Sequence, residues 1–176
     1  GSLYVAIGSA GNIAIEPEPR ATIQVFGPDG TRQRTFASGL RNPVGITFRP
    51  GTDELFTVVN ERDGLGDGLV PDYLTRVADG AFYGWPWSYF GSTADTRVKP
   101  ERPDMVAKAI APDFAVGAHT ASLGLAFSDG RVIGDLVEEE DLDETEMEMH
   151  GDVEVRLAAR EPPRERPERP ATADFG

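Results

Sequence analysis

The sequence predicts an all-β fold. Three observations carry that prediction. Short apolar or alternating runs rich in Val, Ile, Thr, Phe and Tyr recur at close spacing up to residue 130, clusters of Gly, Pro, Asp and Asn separate them, and no segment in that span repeats with the period of an amphipathic helix.

Leu3 to Gly8 (L-Y-V-A-I-G) is a compact strand, ended by the turn Gly8-Ser9-Ala10-Gly11-Asn12. Ala21 to Phe26 alternates and then meets Gly27-Pro28-Asp29-Gly30, where proline fixes one dihedral and glycine permits a positive one, so a hairpin is expected with Thr31 to Phe36 as its returning strand. Gly45 to Phe48 and Glu54 to Val59 form a second pair around Arg49-Pro50-Gly51-Thr52-Asp53. Further strands are expected over Leu74 to Val77, the Phe82 to Tyr89 region, Ala107 to Ile110 and Ser122 to Phe127. One strand-capping phrase recurs in three forms: F-G-P-D-G at 26 to 30, F-R-P-G-T-D-E at 48 to 54 and A-F-S-D-G at 126 to 130.

Charge divides the chain. Residues 1 to 130 carry net −4 and residues 131 to 176 carry net −9, out of −13 for all 176 residues. The acidic block Asp135 to Met149 and the Arg/Glu/Pro run Arg160 to Pro170 hold too little apolar surface to offset chain ordering, so 131–176 reads as a disordered tail, with a short helix around Leu136 to Met149 as the alternative. A shifted reading frame or an erroneous gene end is a further explanation for this text. The acidic balance disfavours nucleic acid, which needs a basic footprint. There is no apolar run of membrane-spanning length and no signal peptide, and the absence of cysteine excludes disulfides and thiolate chemistry.

Three loops carry candidate chemistry. Arg41-Asn42-Pro43 lies between two strands, where a guanidinium and an amide can project together. Arginine offers a fixed fork of donors suited to carboxylates or quinone oxygens; an Asx-type turn with a surface arginine is the plainer reading. Asn60 to Asp72 is dense in oxygen ligands, with Asn60, Glu61, Asp63, Asp67 and Asp72. Its D-G-L-G-D-G spacing is a poor EF-hand, because Leu65 stands at a ligand position and the closing Glu is missing; a solvated glycine-rich loop is the alternative. Gly117-Ala118-His119-Thr120-Ala121-Ser122 holds one histidine, and a lone histidine is more often structural than catalytic. In Tyr83-Gly84-Trp85-Pro86-Trp87-Ser88-Tyr89 the Trp85 ring reads as core, with Tyr89 or Phe90 nearer a rim.

Taken together, G-L-R-N-P-V-G, N-E-R-D-G-L-G-D-G-L-V-P-D-Y-L-T and G-A-F-Y-G-W-P-W-S-Y, all between Gly39 and Tyr89, resemble the soluble quinoprotein glucose/sorbosone dehydrogenases, in particular the L-sorbosone dehydrogenase-like branch. The resemblance implies a six-bladed β-propeller. At about 40 to 50 residues per blade, residues 1–130 amount to about three blades of a partial dehydrogenase domain, followed by the acidic tail 131–176. It also implies pyrroloquinoline quinone (PQQ) and calcium (Ca2+) as cofactors, a sugar, aldose or sorbosone as substrate, a separate electron acceptor, and a periplasmic or secreted location.

By the same resemblance Arg41, Asn42 and Glu61 contact the quinone. Two successive carbonyls at the strand end hold calcium, and counting back from Tyr83-Gly84-Trp85-Pro86 matches them to Arg62 and Asp63, with Asp72 as a further oxygen ligand. Related glucose dehydrogenases have Gly-Pro at that pair. The family's histidine base precedes Leu3 and its later cofactor-gripping residues follow Gly130, so the chain is expected to be inactive alone and to self-associate through open blade edges. The alternative function is a non-redox propeller, either a metal-dependent lactonase-like hydrolase or a binding scaffold.

Overall fold

The computed structural model describes residues 1–128 and 154–156. Most of the 131–176 segment, including the helix considered for Leu136 to Met149, lies outside the described residues. The chain forms β1 (Leu3–Ile7), β2 (Thr22–Phe26), β3 (Arg34–Ser38), β4 (Pro43–Phe48), β5 (Leu55–Val59), β6 (Pro71–Val77), β7 (Ser88–Tyr89), β8 (Thr93–Ala94), a single helical turn α1 (Pro103–Val106), β9 (Phe114–Ala118), β10 (Ala126–Ser128) and β11 (Glu154–Arg156).

These strands make two large antiparallel sheets, one ordered β1-β2-β3 and one ordered β4-β5-β6-β9, with the small pairs β7-β8 and β10-β11. The first sheet gains an outer edge from a distant part of the chain. Residues 80–85 run alongside β3 in parallel: Gly80 N–H donates to Phe36 O at 2.7 Å, Tyr83 N–H to Ser38 O at 2.9 Å and Trp85 N–H to Gly39 O at 3.0 Å. The two large sheets form two blades of a partial propeller.

The core lies between the sheets. Ile23, Ala37 and Leu40 from the first pack against Leu55, Val59, Tyr73 and Val77 from the second, with Ala81 and Tyr83 from the crossing segment. Strand β5 is buried on both faces, so Phe56 and Val58 point the other way, where they meet Leu74, Phe114, Val116, Leu125 and Phe127. Full burial of each such aliphatic chain contributes roughly 1.5–3 kcal/mol before chain entropy is subtracted. On its second face β2 is polar: Gln24 Nε2 donates to Thr22 Oγ1 at 2.7 Å and Thr35 Oγ1 at 2.9 Å, which satisfies a buried amide.

Several elements depart from the sequence-based expectation. The strand expected over Thr31 to Phe36 is displaced to Arg34–Ser38, because Gly27 N–H to Thr31 O and the Asp29 to Thr31 bonds lengthen the turn. Ala107 to Ile110 is not a strand: Pro103 at a helix start fixes its φ and Asp104 sits in the first turn, so α1 forms and Ala107 caps it. Strand β9 was not anticipated, since Gly117 interrupts its alternation, yet it pairs with β6 from Pro71↔Ala118 to Leu74↔Phe114.

Antiparallel connectivity puts the loops 8–21, 39–42, 60–70 and 119–125 at one end of the sheets and the turns 27–33 and 49–54 at the other. A Cβ on Gly45 would come within 2.9 Å of Leu125 N, so the last of those loops crosses directly over β4.

Candidate functional site at the loop end of the sheets

The first loop folds on a carboxylate: Glu16 accepts from Ala10 N–H and Gly11 N–H at 2.7–3.0 Å. That presents Asn12, which bonds the third loop in both directions, Nδ2 to Asp63 O at 3.1 Å and Asp63 N–H to Asn12 Oδ1 at 2.9 Å. Trp85 Nε1 donates to Asn12 O at 3.0 Å, and Trp85 itself is buried as a core ring.

Arg41 and the bend at 60–63 are brought together. Arg41 Nη1 donates to Asn60 O at 3.2 Å, while the main chain ties Ser9 N–H to Arg41 O at 2.7 Å and Asn60 N–H to Asn42 O at 3.0 Å. The Asn42 amide lies hard against Gly8, where a Cβ would overlap its Oδ1. No carboxylate pairs with Arg41 among the described residues, and its buried Nε has no hydrogen-bond partner there. An unpaired guanidinium at a loop end suits a carboxylate- or carbonyl-bearing ligand. Buried Asn60 Oδ1, Glu61 Oε1 and Tyr73 Oη are also unpartnered among these residues. Burial pushes the Tyr73 phenol well above its ordinary pKa, with the Glu61 carboxylate adding to the effect.

Glu61, Arg62 and Asp72 are placed differently from one another. The Arg62 side chain is fully buried: Nε meets Glu61 Oε2 at 3.0 Å, Nη1 meets Pro86 O at 2.8 Å and Asp95 Oδ2 at 3.1 Å, and Nη2 meets Ser88 O at 2.6 Å. Its guanidinium also faces the Tyr89 ring at 5.6 Å. This clamp fastens the bend to the 85–95 segment. Asp72 is buried and turned toward the loops; its carboxylate accepts from Glu61 N–H at 2.7 Å, Ala121 N–H at 2.8 Å and Thr120 Oγ1 at 3.1 Å.

Two successive carbonyls of the bend, those of Asp63 and Gly64, converge on one partner. Arg97 Nη1 donates to Asp63 O at 3.1 Å and to Gly64 O at 3.0 Å. Both carbonyls thus face one guanidinium N–H. No group of three or more His, Cys, Asp or Glu residues that could hold a metal ion occurs among the described residues. His119 adds a further link, with Nδ1 3.1 Å from Asp63 Oδ1 and Nε2 3.2 Å from Gly66 O. His119 and Ala121 both have positive φ (59° and 51°), a strained backbone held by the Asp72 contacts.

Sequence reasoning missed Asn12 and Arg97. Their only local signals were an Asn after a glycine turn and an Asp95-x-Arg97 pair. A pocket of about 230 Å³ lined by Trp87, Asp95, Val98, Arg102 and Pro103 shares only Asp95 with this cluster.

The family model for Glucose / Sorbosone dehydrogenase matches residues 6–140. The calcium structure of a Trichoderma reesei protein of the carbohydrate-active enzyme family AA12 is similar at TM-score 0.59 and 17% identity, over 70% of this chain and 42% of that one. The soluble aldose sugar dehydrogenase (Asd) of Escherichia coli in the apo-form is similar at TM-score 0.56 and 20% identity, over 77% and 42%. An uncharacterized protein of Borreliella burgdorferi is 31% identical over 129 residues, which are 73% of this chain and 34% of that protein. The chain therefore spans about a third to two fifths of the relatives it matches. No helix among the described residues is long and apolar enough to cross a membrane. With the Arg41 loop and the Asn60–Asp72 bend meeting at one end of a partial β-propeller, and the family match covering both, the chain belongs to the glucose/sorbosone dehydrogenase family.

Proposed function

We propose that this chain forms part of the cofactor-binding end of a sugar oxidoreductase that uses PQQ and calcium, with a sugar, aldose or sorbosone as substrate. The single observation that carries the reading is the Arg41 guanidinium, which has no carboxylate partner among the described residues and lies 3.2 Å from the Asn60 carbonyl at the mouth of an oxygen-rich bend. Arg41 and Asn42 would grip the quinone's carboxylates and carbonyls, and Glu61 would border them. The backbone carbonyls of the bend would hold calcium in preference to the Asp72 carboxylate, because Glu61 N–H, Thr120 Oγ1 and Ala121 N–H already take three of its roughly four acceptor positions. The chemistry such a cofactor supplies when bound is acceptance of two electrons from a sugar hydroxyl or aldehyde.

The protein's part in that proposal is positioning. Asp72 holds the third and fourth loops in register, Arg62 fixes the bend from behind, and Gly8 leaves room for the Asn42 amide. His119 is engaged with Asp63 and Gly66, so a free proton acceptor is not supplied by this loop. Turnover by this chain alone is accordingly not expected, a periplasmic or secreted location is proposed by likeness to the family, and open sheet edges favour self-association.

The test is a titration of the full chain with PQQ, read by the cofactor's absorbance, with and without calcium. Saturable binding that weakens by on the order of tenfold in Arg41→Gln is expected, since one charge-assisted pair is lost. No saturable change with the unaltered chain, or equal binding by the variant, would overturn the proposal.

A further inference from the structure

Three carbonyls of the bend face donors from three other parts of the chain. Asp63 O takes both Asn12 Nδ2 and Arg97 Nη1, Gly64 O takes the same Arg97 nitrogen, and Gly66 O faces His119 Nε2. Gly64 and Gly66 have φ of +87° and +94°, conformations that only glycine adopts without strain. They turn neighbouring carbonyls outward where a regular strand would alternate them. Exposed Asp63 and Asp67 surround this rim with negative charge. It is an environment of hard oxygen donors of the type that suits calcium.

Arg97 is built into that rim. Asp95, whose side chain is 1% exposed, takes Arg97 Nε at 2.9 Å and Nη2 at 2.7 Å, which leaves Nη1 aimed at the carbonyl pair. The Arg97 side chain is 28% exposed, so solvent reaches it. Both lone pairs of Asp63 O are in use, one by Asn12 and one by Arg97. A metal ion reaching that oxygen must remove one of the two donors, and electrostatic repulsion selects Arg97, because a divalent ion and a guanidinium a few ångströms apart repel.

We infer that Arg97 is the resident cation of the bend and that a divalent cation binding the Asp63 and Gly64 carbonyls must displace it. The inference rests on the proposal that the bend is the cation-binding part of the cofactor end, and it adds a built-in competitor that sets the metal's affinity. A second consequence is that the bend keeps its shape without metal, since Arg97 and Asn12 already satisfy the carbonyls.

The experiment is a calorimetric titration of the full chain with calcium chloride, comparing the unaltered protein with Arg97→Gln, together with amide NMR shifts to locate the ion. The variant is expected to bind calcium on the order of tenfold more tightly, with the Gly64 and Leu65 amides moving on saturation. Equal affinity in the two proteins, binding by neither, or shifts confined to Asp95 and Thr96 would overturn the inference. Should Arg97→Gln fail to fold, Arg97→Lys serves: its ammonium can pair with Asp95 but cannot also bridge the carbonyls, so tighter calcium binding than in the unaltered protein is again expected and unchanged affinity overturns the idea. Failure of the cofactor reading is recognised separately. A chain that gains calcium affinity in Arg97→Gln while ignoring PQQ would keep this inference and remove the other.

Discussion

The two ends of the sheets are built by different rules. At the turn end, connections close on themselves: Gly27 N–H reaches Thr31 O, Asp29 Oδ1 caps Thr31, and Thr52 N–H returns to Arg49 O. At the loop end, the contacts that join the loops run between residues far apart in sequence, as in Asn12 with Asp63, Arg62 with Ser88, Arg97 with Gly64 and Asp72 with Ala121. One end is made of self-closing hairpins joined by exposed pairs such as Arg34–Asp79, while the other is a single network that exists only once both sheets have docked. The residues proposed to grip the cofactor fall in the network, where the scaffold can fix their geometry without relying on local turn propensity.

The comparison is most easily broken at Arg62. Replacing it with Met leaves the Glu61 carboxylate buried without its guanidinium and Asp95 with Arg97 alone, so Arg62→Met should cost about 3–5 kcal/mol, read as a lower urea midpoint with the slope unchanged. A loss no larger than that of an exposed substitution would show that the clamp is dispensable and that the loop end is no more cooperative than the turns.

Acid sharpens the same point. The side-chain hydrogen bond from Arg97, helped by the Arg97 backbone N–H and by Arg62 and opposed by burial, lowers the Asp95 carboxyl to about 2 from 3.8. A depressed carboxyl pKa means that the folded state holds its proton less tightly than the unfolded chain. Its contribution is therefore complete above about pH 4 and lost as the pH falls through about 2, a change of roughly 2 kcal/mol. Urea midpoints measured between these limits should fall less steeply in Arg97→Gln than in the unaltered protein. Parallel curves would place the acid sensitivity elsewhere.

The smallest effect is expected at the turn end. Arg34 meets Asp79 through two short contacts, 2.6 and 2.7 Å, yet both side chains are about half exposed and screened by water. Arg34→Ala should change the melting temperature by less than about 2 °C. A larger loss would mean that this pair holds the crossing segment 80–85 against β3 and is not merely an ornament of the surface.

Most of the strands were legible because their signals are local. Thr22–Phe26 and Leu55–Val59 announce themselves by β-branched and aromatic content, and Gly27-Pro28-Asp29-Gly30 by its turn chemistry. Errors appeared where local and distant forces disagree. Ala107 to Ile110 is apolar enough for a strand, but Pro103 and Asp104 start a helical turn before it, and its Ile110 N–H is used by Phe82 O. Phe114–Ala118 looks broken by Gly117, but pairing with β6 and packing of Phe114 and Val116 on Phe56 make it a strand. Likewise Arg41 and the 60–63 bend were recognisable from their text, whereas Arg97, thirty-four residues from Asp63, carried no mark of its role.

By itself the amino-acid sequence determined the all-β character of residues 1–128, the positions of the turns and the identity of the Arg41 and Asn60–Asp72 loops, because hydrophobic periodicity and Gly/Pro stereochemistry act within a few residues. Tertiary structure alone decided which carbonyls face a cation, that Arg62 is a buried clamp and that Asp72 serves backbone amides. Those outcomes depend on docking of segments separated by tens of residues, and an unpaired charge or carbonyl in the chain's text does not say which distant group will satisfy it.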